Sequence, residues 1–157
     1  MIDLIINPDS IRVSKSEVST QIFSEIYFQI GNIFFPDKKW DDFTVIILNW
    51  WLREACKIKK NNIAKKNNVA HFSFMDGPFY FEVHFVGETC NIKFIDNRYD
   101  KKEVVYSGKI ECTYLFNLLK KNANLLIRNI PSEAEKLKDV IEIKKSLKLI
   151  QKHVKYF

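Results

Sequence analysis

Glycine and proline are scarce, with 4 of each in 157 residues. That leaves little room for long linkers or low-complexity segments, and no internal repeat is visible. Three cysteines, Cys56, Cys90 and Cys112, are odd in number and lack metal-like spacing, so reduced thiols are expected. There is no glycine-rich phosphate loop, no Ser/His/Asp spacing signal and no paired CxxC. The opening apolar run, Met1–Ile6, is interrupted by Asp3 and stopped by Asn7-Pro8, too short for a signal peptide. The cytoplasm is therefore the expected compartment. No apolar stretch is long and uncharged enough to suggest a membrane span.

Apolar and aromatic residues are plentiful. Hydrophobic residues make up 46% of the chain, with 13 Phe and 3 Trp, which argues for a folded protein. The length fits a single α+β domain over 1–157, with a sheet and central helix in 1–110 and a helical part in 111–157. The net charge of +6 is unevenly spread. Residues 1–56 hold 5 bases and 8 acids, leaving 20 bases and 11 acids, a net of +9, in the rest. Such asymmetry can mark an interaction surface; the plainer reading is lysines that solvate helices.

The chain is organised around Pro36–Leu52, which continues into a basic stretch. Phe43, Ile46, Ile47 and Trp50 form one helical stripe, and Val45, Leu48, Leu52 and Ala55 a second. A helix apolar almost all round must be buried on most of its surface. The expected span is Asp41–Ile58, with Asp41 or Asp42 capping the start and Arg53, Lys57, Lys59 and Lys60 suiting the end.

Strands are expected at Met1–Ile6, Ile11–Val13 and Gln21–Ile30, the last turning through Gly31-Asn32 into Ile33–Phe35. Val69–Ile95 reads as three antiparallel strands. A turn at Asp76-Gly77 sets Phe72 opposite Phe81 and Ala70 opposite Val83. A second at Gly87-Glu88 sets Phe85 opposite Cys90, Val83 opposite Ile92 and Phe81 opposite Phe94. Both turns place the same apolar set on one face, and a slip of one residue would invert every side chain. The other face receives His71 opposite Glu82, Glu82 opposite Lys93 and His84 opposite Asn91. A fourth strand spans Glu103–Ile110, with either Val105 or Val104 and Tyr106 inward. Helices follow at Thr113–Asn129 and, after a break at Asn129–Glu133, along the stripe Leu137, Val140, Ile141, Ile143, Leu147, Ile150 and Val154.

The sheet face carrying His71, Tyr80, Glu82 and His84 is the main candidate site. A carboxylate between imidazoles can serve acid–base chemistry, and two His with one Glu can hold zinc. A structural or interface role is the favoured reading, because polar residues alternate on any half-exposed sheet. A second candidate is an acidic edge of Glu17, Glu25, Asp37 and Asp41, beside an exposed-looking Trp40. The lysine-rich segment Lys57–Asn68 invites a nucleic-acid reading, but no aromatics interleave there to stack on bases. His153, in the last helix, suggests nothing.

The stretch Ile-Tyr-Phe-Gln-Ile-Gly (26–31), the run from Phe34 through Trp40 to Leu52, and Phe-Met-Asp-Gly-Pro-Phe-Tyr-Phe (74–81) together resemble small bacterial immunity proteins of polymorphic toxin systems, including contact-dependent growth inhibition. The resemblance covers roughly residues 26–95. It implies a cytoplasmic protein that binds the toxic carboxyl-terminal domain of a cognate effector, without catalysis, metal or cofactor. Immunity proteins against nucleases are often acidic. This chain's basic balance therefore points to another kind of toxin, or to contact through the acidic amino-terminal third. The expected architecture is an antiparallel sheet of about six strands packed against the Trp-containing helix and the carboxyl-terminal helices.

Overall fold

The computed structural model describes residues 1–60 and 69–154, except the side chains of 59, 60, 153 and 154. The expectations for Lys65, Lys66 and the side chain of His153 lie outside the described residues. The fold is α+β, and its described strands divide between two antiparallel sheets rather than forming one.

The first sheet is built on β3 (Thr20–Ile30). Four short strands pair with it: β1 (Ile2–Ile6), β2 (Arg12–Lys15), β4 (Ile33–Phe35) and β5 (Asp41–Asp42). Ile22, Ser24, Ile26, Phe28 and Ile30 alternate inward along β3. Between β1 and β2, the turn at Pro8–Ser10 is tied to β3. Asn7 N–H donates to the Glu25 carbonyl (3.4 Å), and the Ser10 hydroxyl accepts from Glu25 N–H (2.8 Å). The β3–β4 turn falls at Gly31-Asn32 as expected, with Ile30 opposite Ile33 and Gly31 at φ 59.

The second sheet has the order β6 (Val69–Ser73), β7 (Phe79–Val86), β8 (Thr89–Asp96), β9 (Glu103–Glu111). Every expected pairing of its first three strands is observed, including Phe72 with Phe81, Phe81 with Phe94 and Glu82 with Lys93. Gly87, at φ 66, opens the second turn. The first turn closes differently from a two-residue hairpin: Phe79 N–H donates to the Asp76 carbonyl, so Gly77 and Pro78 occupy its corner. The choice between Val105 and its neighbours has a structural answer. Phe94 pairs with Tyr106 but Ile95 with Val104, leaving Val105 as the extra residue of a bulge. Val105 and Tyr106 are thus both half-buried, while Val104 is exposed.

The central helix α1 runs Thr44–Lys60, three residues later than expected. Neither aspartate caps it as anticipated. Asp41 and Asp42 pair as strand with Glu25 and Ser24, and the first helical bond runs from Ile47 N–H to the Phe43 carbonyl. The buried arc contains Val45, Ile47, Leu48, Trp51, Leu52, Ala55 and Cys56. Trp50 is 44% exposed, contrary to the expected apolar stripe. It lies about 100° around the helix from Trp51, on the side of Arg53 and Lys57. One packed layer can bury only about half a helix circumference, so an all-round apolar helix leaves some apolar residues outside the arc.

Helices α2 (Cys112–Arg128) and α3 (Lys138–Val154) complete the core, with a short 3-10 turn at Ser132–Ala134 between them. Of the last helix's expected stripe, Val140, Ile143, Leu147 and Ile150 are buried, but Ile141 is exposed. Phe28 of β3 joins the layers. Its ring lies 5.9 Å from Trp51, 5.0 Å from Phe81 and 4.9 Å from Phe94. Trp51 also donates Nε1–H to the Ser73 carbonyl at 2.8 Å. All three cysteines are buried, and burial pushes the Cys90 thiol up to about 12, with Cys112 beside it adding to the shift. A buried thiol held protonated in this way is inert as a nucleophile.

Candidate functional site

The inner face of the four-stranded sheet packs on Phe28, Trp51 and α2, and its alternating register sends the other set of side chains outward. Two rows form the centre of that outer face. Val69, His84, Asn91 and Lys109 make one; His71, Glu82, Lys93 and Ser107 make the next. A shallow cavity of about 500 Å³ lies over them, lined by every member of the two rows except His71, with Gly108 beside Lys109. His71, His84, Asn91, Lys93, Ser107 and Lys109 are exposed, and Glu82 is half-buried.

The expected quartet is only partly assembled for binding. Tyr80 is 6% exposed, so it is not the surface aromatic that alternation suggested. Its ring stacks on His71, with centroids 4.2 Å apart, and its cross-strand neighbour Ile95 is buried as well. Alternation assigns a side chain to a face but not to solvent: in this row Tyr80 and Ile95 are covered, while Val104 at its edge is exposed. His71 and Glu82 are direct partners across β6 and β7. Glu82 and Lys93 are partners across β7 and β8, yet they do not approach to ion-pair distance. Among the described residues no group of three or more His, Cys, Asp or Glu side chains is placed to hold a metal ion.

Of the acidic edge, Glu25 and Asp41 are direct cross-strand partners on β3 and β5, while Glu17 lies apart. Asp41 accepts from both terminal guanidinium nitrogens of Arg12, Nη1 to Oδ1 at 2.8 Å and Nη2 to Oδ2. That pairing, with help from Glu25, raises the Arg12 pKa. Glu25 accepts a hydrogen bond from the Asn7 side chain at 3.2 Å. Glu17 sits in the β2–β3 turn, beyond the Lys15–Thr20 pair and roughly 17 Å along β3 from Glu25, at about 3.4 Å per residue. Asp37 lies elsewhere, close enough to Arg98 to raise its pKa slightly after the dominant effect of Asp96.

Trp40 is half-buried, not exposed. It packs on Phe79 at 5.1 Å and donates Nε1–H to Asp42 Oδ2 at 3.0 Å. Asp42 also accepts from Phe43 N–H (2.7 Å) and Met75 N–H (3.4 Å). It is a buried carboxylate joining β5, α1 and the β6–β7 turn, and desolvation raises its pKa against the lowering effect of these donors.

Two features escaped the sequence reading. Ser107 and Lys109 of β9 join the cavity lining, and carrying the strand register on from β8 to β9 would place them there. The β8–β9 loop holds Arg98 against Asp96 through three hydrogen bonds, with its guanidinium 5.1 Å from the Phe79 ring and 5.9 Å from Tyr99. Tyr99 is 85% exposed beside Lys101 and Lys102. No helix among the described residues is long and apolar enough to cross a membrane. No family model matches the chain, and no curated protein or solved structure is significantly similar to it.

Proposed function

We propose that this chain is an immunity protein, acting in the cytoplasm, that neutralises the toxic carboxyl-terminal domain of a cognate bacterial effector by stoichiometric binding. The contact surface in this reading is the outer face of the four-stranded sheet. One observation carries it: that sheet is packed on one face, while the centre of the other holds an open cavity rimmed by exposed side chains. Binding needs only such a surface with a few anchors, and no reacting group. The likeness of residues 26–95 to immunity proteins supplies the kind of partner.

The test is protection of cells that express the toxic carboxyl-terminal domain of an effector encoded by an adjacent gene. Wild type should protect. Asn91→Arg, which places a long side chain in the cavity from an exposed position, should keep its melting temperature and lose protection. Full protection by a folded Asn91→Arg protein would move the contact elsewhere. A domain that neither binds nor is neutralised by wild type would reject the immunity reading.

A second reading, nucleic-acid binding through the basic half, is favoured by Tyr99 standing exposed beside Arg98, Lys101 and Lys102. It predicts binding to single strands that falls steeply with salt, by a log–log slope near −0.7 per phosphate contact.

A further inference from the structure

Taken as the contact surface proposed above, the outer face also specifies the chemistry of its partner. Lys93 pairs with Ser107, and Lys109 lies two residues farther along the same strand, opposite Asn91. The two lysines are therefore diagonal neighbours, roughly 7–8 Å apart at Cα, with both side chains on one face. Neither ammonium forms an ion pair with any described residue. Among the described residues lining the cavity, Glu82 is the one carboxylate. In the free protein water solvates both ammonium groups at no cost. Under a docked partner that water is lost, and an ammonium buried without an acceptor is strongly unfavourable. Whatever covers this face must bring its own negative charge.

The surrounding side chains narrow the choice of anion. Val69, Val86 and Val104 are exposed and point outward on the same face, around the charged centre. A small inorganic anion would leave them wet, whereas a protein surface can cover them. A second copy docked face to face would set lysines against lysines. We infer that the partner is a protein segment that presents at least two carboxylates to Lys93 and Lys109, framed by apolar groups over Val69, Val86 and Val104. This inference rests on the outer-face reading and adds the sign and kind of the complementary surface. Glu82 then offers the partner one place for a hydrogen-bond donor, which fixes register across an otherwise positive centre.

Two measurements test it. In the first, the isotope-labelled full chain is titrated with hexaglutamate and, separately, with tripolyphosphate, following backbone amides by NMR. Hexaglutamate should shift Asn91, Lys93, Ser107 and Lys109, and Lys93→Ala with Lys109→Ala should abolish the shifts. No shifts in this block would overturn the inference; so would saturation by tripolyphosphate alone, which would make the site one for phosphate ligands. The second uses the toxic carboxyl-terminal domain of an effector encoded by an adjacent gene. Lys93→Glu with Lys109→Glu should weaken binding on the order of 100-fold. Lys144→Glu with Lys148→Glu, the same charge change on exposed positions of α3, should weaken it by less than about 3-fold, leaving only long-range attraction screened by salt. Equal losses from both pairs would reduce the effect to net charge and overturn the inference. Should the effector domain fail to bind wild type, the immunity reading falls, and the peptide titration still decides the acidic-segment proposal.

Discussion

Trp50 and Trp51 are adjacent, chemically identical and on the same helix, so the substitutions Trp50→Ala and Trp51→Ala isolate the effect of position. Trp51 is fully buried against Phe28, Phe74 and Phe81, with centroids 5.9, 5.1 and 5.1 Å away. Truncating a buried large aromatic costs about 3–5 kcal/mol in lost transfer energy and residual cavity. Losing Nε1–H also strips the Ser73 carbonyl of its partner. Trp51→Phe separates the two effects: it keeps most of the apolar volume, so its cost should be about 1–3 kcal/mol, that of the unsatisfied carbonyl and a small cavity. Trp50, with 44% of its surface exposed, should cost no more than about 1.5 kcal/mol as alanine. For a chain of this size 1 kcal/mol moves the melting temperature by about 2–4 °C. Trp51→Ala should therefore lower it by about 6–20 °C, and Trp50→Ala by no more than about 6 °C. Urea denaturation with a common slope would give the same order in free energy. If Trp50→Ala proves the more damaging, the helix is rotated from the position described and the aromatic core is wrongly assigned.

Other outcomes follow from single contacts. Asp42→Asn should destabilise by about 1–3 kcal/mol although it removes a buried charge, because all three groups facing the carboxylate are N–H donors and an amide turns one acceptor into a fourth donor. Because the folded Asp42 pKa is raised, its contribution is largest below the unfolded value of about 3.9 and declines as pH rises through the folded one. Acid titration of Asp42→Asn should lack that component. Asp96 has the opposite sign. Its pKa is lowered by hydrogen bonds from Arg98, so the stability it adds is present above the unfolded value and is lost as pH falls through the folded one. In Arg98→Ala, acid unfolding should lose that step. Gly108→Ala would put a Cβ 2.6 Å from Tyr106 Oη and 2.9 Å from its Cε1, so the ring must swing away. A loss of about 1–3 kcal/mol is expected. The double variant with Tyr106→Ala should cost less than the sum of its parts, and strict additivity would deny the contact.

The hairpins of the second sheet were legible because two independent turns demanded the same face, and each residue of β7 has both a turn and an alternation to satisfy. The division into two sheets was not legible. Alternation along Thr20–Ile30 marks an inward face, but nothing local says that one strand of 11 residues will pair with four short partners. The Trp helix was legible as buried, whereas its orientation was not: with apolar residues on every side, periodicity no longer singles out an arc. Tyr80 shows the same limit on a strand. Its face follows from alternation, and its burial depends on what happens at the end of the sheet where Ile95 is covered too. The Arg12–Asp41 pair joins residues far apart in sequence and exists only because β2 and β5 both pair with β3.

That pair also bears on which candidate surface can serve a partner. A charge bound within its own chain is a poor anchor, since a partner must first displace the internal contact. Asp41 is held by Arg12, Glu25 accepts from Asn7, and Glu17 stands apart from both. On the sheet face the balance is reversed. Lys93 and Lys109 stand exposed without an internal ion pair, on neighbouring strands, around a cavity. The negative half of the sequence therefore consumes part of its charge in holding the first sheet together, while the second sheet keeps charge in reserve on its outer face. The sign of the free charge, not of the whole chain, should set partner choice. Reversing Lys93 and Lys109 should therefore abolish acidic-segment binding while leaving most of the chain's positive charge in place.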